Sequence, residues 1–372
     1  MSAPLVVIAA GGTGGHLFPA QALADVLRRL GTRVVLVTDE RVDTYMRDFP
    51  AEEIVTVASA TPSVRSLPRM ALAGLTLGRG VLQATGVLRR LRPAAVVGFG
   101  GYPTVPPVLA GQLTGVPTII HEQNAVMGRA NRLLARRARL VATGFPEVAG
   151  VPSTPARRAH TGNPVRPAVV AASHTLFPPA LRGGKLKLLV FGGSQGARVM
   201  SDVVPAAVET LPDAHRARLT IVQQAREEDL ARVREAYAGA GVEARVEPFF
   251  RDLPGLMADS HLVIARSGAS TVAELAVIGR PAILVPLPGA LDQDQAANAR
   301  ALGAIGAAIV LPQPEFTPER VAAELSTRFE DPDLLTRAAL AAKTAGIADA
   351  AERLAAEVVA LARIALPGGT TP

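Results

Sequence analysis

The sequence contains no cysteine and no tryptophan, and aromatic residues make up 3% of it. Without cysteine there is no disulfide scaffold, no thiolate metal site and no thiol nucleophile, and the composition fits a reducing compartment. With so few aromatic rings, the platforms that stack single-stranded nucleic acid are poorly supplied, so no nucleic-acid partner is expected. No uninterrupted apolar run approaches the length that spans a bilayer. The opening MSAPLVVIAA lacks the basic segment of a secretion signal, and its apolar run ends at a glycine turn, so no leader is read there. Acid is also in deficit: 39 Lys and Arg face 32 Asp and Glu, a net charge of +7 carried almost entirely by arginine. That balance points to acidic partners such as nucleotides or anionic lipid.

What is present begins with Leu5 to Pro19, LVVIAAGGTGGHLFP. The β-branched apolar run reads as a buried parallel strand, the glycines as a tight turn, and Leu17 onward as a helix with Pro19 in its first turn. Glycines let a ligand approach the backbone, and the first N–H groups of a helix lack partners, so the combination favours an anion. The dinucleotide fingerprint GxGxxG is not met, because from Gly12 and Gly14 the third glycine falls on Leu17. A strand-to-helix turn with no ligand is the other reading; His16, within reach of whatever sits on the turn, favours the first.

Further apolar runs at Arg33–Thr38, Ala94–Phe99, Pro117–Ile120 and Arg139–Ala142 read as strands separated by crossover helices. Such alternation predicts a doubly wound parallel sheet that binds ligands at the carboxyl ends of its strands. The polar motifs fall there: GFGGYP after Ala94–Phe99, and His121, Glu122, Gln123 and Asn124 after Pro117–Ile120. From Val151 to Lys185 the texture turns to Pro, Ala, Ser, Thr and Gly and reads as a linker. Inside it, Thr161–Arg166, TGNPVR, carries either an arginine facing a second domain or a plain turn. Lys187–Phe191 then restarts the scheme, and GGSQGAR at Gly192–Arg198 lies about 180 residues after the first glycine turn. Strands follow at Arg218–Gln223, Ala244–Phe249, Leu262–Ala265, Ala282–Pro286 and Ala307–Leu311. The expected architecture is α/β, two Rossmann-like doubly wound domains facing across a cleft, divided as 1–165 and 166–345. The last helix, about 346–366, has no turn leading to another strand and is expected to pack back on the first domain.

Ser66–Arg92 mixes Leu, Met and Val with Arg69, Arg79, Arg89, Arg90 and Arg92 and has no acidic residue. Two readings stand: a surface that dips apolar side chains into a bilayer and sets arginines against anionic headgroups, or a crossover helix with solvated arginines. In the second half, Ser194 and the adjacent amides can donate to a phosphate. Arg266–Glu274, RSGASTVAE, opens a helix with Ser267 or Ser270 near its N-cap; Glu274 either accepts ribose hydroxyls or compensates the helix dipole. Asp292–Gln295, DQDQ, suits sugar hydroxyls. Asp292 and Asp294 also spell the DxD of metal-dependent transferases of another fold, against which the two-domain layout argues. HExxH zinc chemistry is excluded at His121, since Ala125 stands where the second histidine belongs, and no metal is expected.

Together, GGTGGHLFP, GFGGYP, HEQN, TGNPVR, GGSQGAR and RSGASTVAE stand in the order and approximate spacing of the MurG family of peptidoglycan glycosyltransferases, which the chain resembles over nearly its whole length. The resemblance implies the GT-B fold, an acceptor-handling and membrane-associating N-terminal domain, a UDP-sugar-binding C-terminal domain, and a final helix that crosses back. It implies inverting transfer of N-acetylglucosamine from UDP-N-acetylglucosamine to the 4-hydroxyl of lipid I, the undecaprenyl-linked acceptor, without a cofactor. The enzyme is then peripheral on the cytoplasmic face of the membrane, beside other cell-wall synthesis proteins. Carried over by motif, Thr13, Gly14 and Gly15 resemble the loop near the diphosphate and His16 the general base, with Glu122 a second candidate. Asn124 resembles the residue that contacts the donor sugar, and Arg166 and Ser194 those around the phosphates. Phe250 resembles the position whose backbone reads uracil, and Ala269, Ser270, Thr271, Val272, Ala273 and Glu274 the segment that holds sugar and ribose. Gln295 resembles the second of two consecutive glutamines, the first being Asp294 here. His16 must be neutral to accept a proton; its helix dipole disfavours the imidazolium, while nearby phosphates favour it. The competing readings are another nucleotide-sugar transferase of the same fold, a nicotinamide-dependent oxidoreductase, and a membrane adaptor that senses nucleotide sugar and leaves His16 idle.

Overall fold

The computed structural model describes residues 3–11, 14–40, 49–61, 67–153, 156–193, 196–289 and 293–364. Thr13, Ser194 and Asp292 lie outside the described residues. The chain divides into two compact units, Met1–Arg166 with Asp349–Pro372, and Pro167–Ala348.

The first unit runs β1 (Leu5–Ala9), α1 (Gly14–Arg29), β2 (Arg33–Thr38), β3 (Glu53–Thr56), α2 (Leu67–Leu91), β4 (Ala95–Gly98), α3 (Val105–Thr114), β5 (Thr118–Glu122), α4 (Arg129–Ala135), β6 (Leu140–Thr143) and β7 (Arg157–His160). Its seven-stranded sheet has the order β3-β2-β1-β4-β5-β6-β7, every pair parallel. Alternation along β1 feeds two cores. Val6 and Ile8 pack with Leu23 and Leu27 of α1, whereas Val7 and Ala9 pack with Leu88 of α2, Val108 of α3 and Leu134 of α4. The C-terminal helix, Ala350–Ala362, belongs to the first of these cores through Leu354, Val358 and Val359.

Three local expectations are corrected. Glu53–Thr56 is a strand where none was read, and the stretch taken as a linker holds both β7 and a short helix. Both missed strands are sheet edges whose side chains are half-buried or exposed and partly polar, so neither shows the buried apolar run that marks a central strand. Helix α1 begins at Gly14, ahead of Leu17, and Pro19 lies inside it, withholding the N–H that would bond the Gly15 carbonyl.

The second unit runs α5 (Pro167–Ala172), β8 (Leu186–Phe191), α6 (Arg198–Glu209), α7 (Asp213–Arg216), β9 (Leu219–Gln224), α8 (Leu230–Gly239), β10 (Glu243–Glu247), α9 (Leu253–Asp259), β11 (Leu262–Ala265), α10 (Ala269–Ile278), β12 (Ala282–Leu284), α11 (Asp294–Ala304), β13 (Ala308–Val310), α12 (Pro318–Glu330) and α13 (Asp333–Ala345). Its six strands are again all parallel, in the order β10-β9-β8-β11-β12-β13. One buried guanidinium gathers the ends of three helices. Arg280 donates to the carbonyls of Met257 and Ala258 at the end of α9, Ile278 and Gly279 at the end of α10, and Thr175 and Leu176 beyond α5. Burial pulls it down from the usual arginine range to about 10.

Candidate active site

In a doubly wound sheet the ligand site lies where strand order reverses, at the carboxyl ends of the strands. In the first unit that point is between β1 and β4, and it brings together the glycine turn, GFGGYP and HEQN. His16, in the first turn of α1, is half-buried, and its ring lies against Gly11, Gly100 and Gly101. A Cβ on Gly100 or Gly101 would stand 3.5 or 3.4 Å from the imidazole, and both glycines hold the left-handed backbone, φ 85° and 75°. The ring's Nδ1 is 3.3 Å from Gln123 Oε1. Gln123 Nε2 donates to the Phe99 carbonyl at 2.7 Å. The guanidinium of Arg166 lies 4.6 Å over the ring of Phe18, two residues along α1 from His16, so a fixed positive charge stands beside the glycine turn. A Cβ on Gly14 would come within 3.1 Å of the Phe18 ring, so a side chain there would press on it.

Glu122 is buried, and its carboxylate accepts four hydrogen bonds, from Asn124 N and Nδ2 at 3.0 and 3.3 Å, Gly128 N at 3.0 Å and Asn131 Nδ2 at 2.8 Å. It therefore fixes Asn124 and the start of α4. His121 is fully buried, with Nε2 3.0 Å from the Gly162 carbonyl and its ring centroid 5.3 Å from that of Phe99. Burial pushes its pKa down to about 4, so it sits neutral in the core.

In the second unit the order reverses between β8 and β11, which joins GGSQGAR to RSGASTVAE. A Cβ on Gly192 would stand 2.2 Å from the Ala197 nitrogen, so the loop closes only on glycine. Gln224 bridges this loop to the segment before Phe250, accepting from Gly192 N at 3.1 Å and donating to the Pro248 carbonyl at 3.1 Å. Helix α10 starts behind Gly268 with no side-chain cap, leaving its first-turn N–H groups for a ligand. Ser267 is not the cap: its hydroxyl donates to the Gln295 carbonyl at 2.8 Å. On α10, Ala269, Val272 and Glu274 are buried, whereas Ser270, Thr271 and Ala273 are partly exposed. Gln295 Oε1 accepts from Leu287 N at 3.0 Å, which leaves its Nε2 as the donor end, and Asp294 Oδ1 caps the Gln295 N–H at 2.9 Å. Phe250 is buried under Arg245, 5.5 Å away.

Sequence reading named Gln123 and Arg266 only as members of motifs, with no role of their own, and passed over Gln224, which merely follows a run read as a strand. Arg266 donates to the carbonyls of Val285 and Pro286 at 3.1 and 3.0 Å and to Gln313 Oε1 at 2.7 Å. Each bridges loops far apart in the chain, and the only signal was a polar side chain at a strand end.

Two parallel α/β units, each with its strand order reversing beside glycines and a helix start, have the layout found in two-domain glycosyltransferases. Residues 6–143 match the glycosyltransferase family 28 N-terminal domain, and residues 187–354 the family 28 C-terminal domain. The chain belongs to glycosyltransferase family 28, in its MurG group. It is 66% identical, over 95% of this chain and 97% of the relative, to the UDP-N-acetylglucosamine N-acetylmuramyl-(pentapeptide) pyrophosphoryl-undecaprenol N-acetylglucosamine transferase of Methylorubrum extorquens. The transferase of the same name from Rhodopseudomonas palustris is 55% identical over 97% of this chain and 99% of its own. The crystal structure of Acinetobacter baumannii MurG is similar with a TM-score of 0.77 at 31% identity, covering 95% of this chain and 99% of that one. The UDP-GlcNAc 2-epimerase of Neisseria meningitidis, with a TM-score of 0.67 at 14% identity over 96% of this chain and 99% of that one, shares the fold alone.

Proposed function

We propose that the chain is an inverting transferase that moves N-acetylglucosamine from UDP-N-acetylglucosamine to the 4-hydroxyl of the N-acetylmuramoyl-pentapeptide of lipid I, making lipid II. Near-full-length identity of 66% to a transferase named for this reaction carries the reading. The acceptor oxygen bonds to the anomeric carbon on the face opposite UDP as the bond to the diphosphate breaks. A base takes the hydroxyl proton, and positive potential meets the charge appearing on the leaving group. His16 is the base in this reading, and Glu122, held by four donors, is the anchor that positions Asn124 for the donor sugar. Thr13, Gly14, Gly15, Arg166 and Ser194 serve the diphosphates. The Phe250 backbone reads uracil, Glu274 takes the ribose hydroxyls, and Ala269, Ser270, Thr271, Val272, Ala273 and the Gln295 amide complete the donor site. The first unit is then the acceptor domain and the second the donor domain.

The membrane reading concerns α2. By length and composition the segment Met70–Leu91 is apolar enough to cross a bilayer. One face, however, is packed on the first unit: Ala73, Ala84 and Leu88 are buried, and a Cβ on Gly80 would meet the Ala58 carbonyl at 2.0 Å. The opposite face exposes Leu72, Leu75 and Leu82, at 64, 74 and 75%, with Arg79 between them. Arg136 and Arg137, beside the exposed Leu133 on and just beyond α4, add basic charge. Apolar side chains among arginines suit peripheral contact with an anionic leaflet, the cytoplasmic face where lipid I is made available. Arg90 is already paired, in a two-pronged ion pair with Glu53 of β3 at 3.1 and 2.6 Å.

The test is incubation with UDP-N-acetylglucosamine and a short-chain lipid I analogue. A β-linked disaccharide and stoichiometric UDP are expected, with activity kept in EDTA; no disaccharide would overturn the reading, and an absorbance change on titration with NADH would favour the oxidoreductase.

A further inference from the structure

We infer that Gln123 is a positioning residue for the transfer: it dictates which ring nitrogen of His16 carries the proton. An amide has one donor end and one acceptor end. The donor end of Gln123 is committed to the Phe99 carbonyl at 2.7 Å in a buried bond. Its acceptor end faces His16 Nδ1 at 3.3 Å, and an acceptor is matched only by an N–H. Nδ1 therefore holds the proton, and in the neutral ring Nε2 holds the lone pair that a base needs. Flipping the amide would set two oxygens against each other at the Phe99 carbonyl, so the assignment is locked from the far side. The two left-handed glycines of GFGGYP hold the ring against this amide.

The partner's being neutral matters as much as its place. A carboxylate beside Nδ1 would stabilise the imidazolium and keep the ring protonated, whereas an amide orients it without adding charge. The adjacent carboxylate, Glu122, spends its oxygens on Asn124, Gly128 and Asn131. Among the described residues, the titratable and charged groups on the elements around the ring at this end of the sheet are Tyr102, His121, which burial keeps neutral, Glu122 and Arg166, the last over Phe18, while Asp25, Arg28 and Arg29 lie further along α1.

The kinetic part of this inference rests on His16 being the base; the protonation state does not. The first experiment is a long-range proton–nitrogen correlation spectrum of the intact protein labelled at histidine, with the His16 signal assigned by its loss in His16→Gln. The Nδ1–H form is expected in the native chain, and a shift toward the Nε2–H form in Gln123→Met. A native spectrum showing Nε2–H overturns the inference without any variant. In the second experiment Gln123→Glu moves the acid limb of kcat/KM to higher pH by about one unit, and Gln123→Met lowers kcat about tenfold with the donor KM little changed. An unmoved limb and unchanged kcat would overturn the positioning role. Full turnover in His16→Ala would instead remove His16 as base, while the spectrum still decides the tautomer.

Discussion

Replacing Glu122 by glutamine separates an anchor from a base. The carboxylate receives Asn124 N and Nδ2 on Oε1, and Gly128 N and Asn131 Nδ2 on Oε2, at 2.8 to 3.3 Å. Glutamine turns one of these oxygens into an NH2 group, and in either orientation that group meets two N–H donors head on. At about 1.5–3 kcal/mol for each charge-assisted bond lost, the gross penalty is about 3–6 kcal/mol, from which local relaxation recovers part. Since a whole domain is stable by only about 5–15 kcal/mol, the loop from Gln123 to Arg129 should detach well before the unit unfolds. Hydrogen exchange reads this directly, because the Asn124 and Gly128 amides are the ones bonded to the carboxylate. They should exchange about 100-fold faster in Glu122→Gln, corresponding to about 2.7 kcal/mol of lost local stability. Turnover should fall with a rise in the donor KM, because Asn124 has lost its support. Loss of turnover with both amides exchanging at the native rate would make Glu122 a proton-transfer group and refute the anchoring.

Four further outcomes are expected. Glu274→Ala should raise the UDP-sugar KM with a smaller change in kcat, and an unchanged KM would remove its ribose role. Arg280→Met strips donors from three helix ends and should cost about 3–5 kcal/mol in urea unfolding, with Arg280→Lys recovering only part because it lacks the planar fork. The folded His121 is held near 4, and burial lowers His160 and His261 as well. The unfolded chain therefore binds more protons, and stability, flat above about pH 6.5, should fall as pH drops from there toward 4; an unchanged urea midpoint between pH 7 and 5 would contradict this. Changing Leu75 and Leu82 to serine should weaken binding to vesicles containing anionic lipid, as should Arg79→Glu, while activity on a water-soluble acceptor analogue stays at the native level.

The central strands were legible because they are buried on both faces: Arg33–Thr38 and Leu262–Ala265 were bounded correctly from their apolar runs. The edge strands β3 and β7 were not, since β7, Arg157–His160, exposes both arginines and the histidine with only Ala159 half-buried and resembles a polar loop; the edges of the second sheet, β10 and β13, were read. His16 stood out in the sequence because the signal, a glycine-rich stretch between an apolar run and a helix, is local. Gln123, Gln224 and Arg266 had no legible role, because what each amide or guanidinium does depends on a carbonyl or N–H brought to it from 19 or more residues away. The start of α1 was misplaced because Gly14 and Gly15, which open it, are poor helix formers.

The HEQN motif then illustrates how backbone geometry assigns chemistry that composition leaves open. Three polar side chains in succession leave the end of β5, and the pleat sends alternate ones to opposite faces. His121 and Gln123 turn toward Phe99 and thus to the face covered by α1, where His16 stands; Glu122 turns toward Asn131 on α4, on the other face. A one-residue change of register would exchange them, setting a carboxylate against the imidazole and an amide among four N–H donors. The first half of that exchange would favour a protonated histidine, unfit for the role of base proposed for it, and the second would release the loop bearing Asn124. The parallel pairing of β5 with β4 and β6, which fixes Ile120 opposite Gly98 and Glu122 opposite Thr143, therefore decides which polar group of HEQN faces His16.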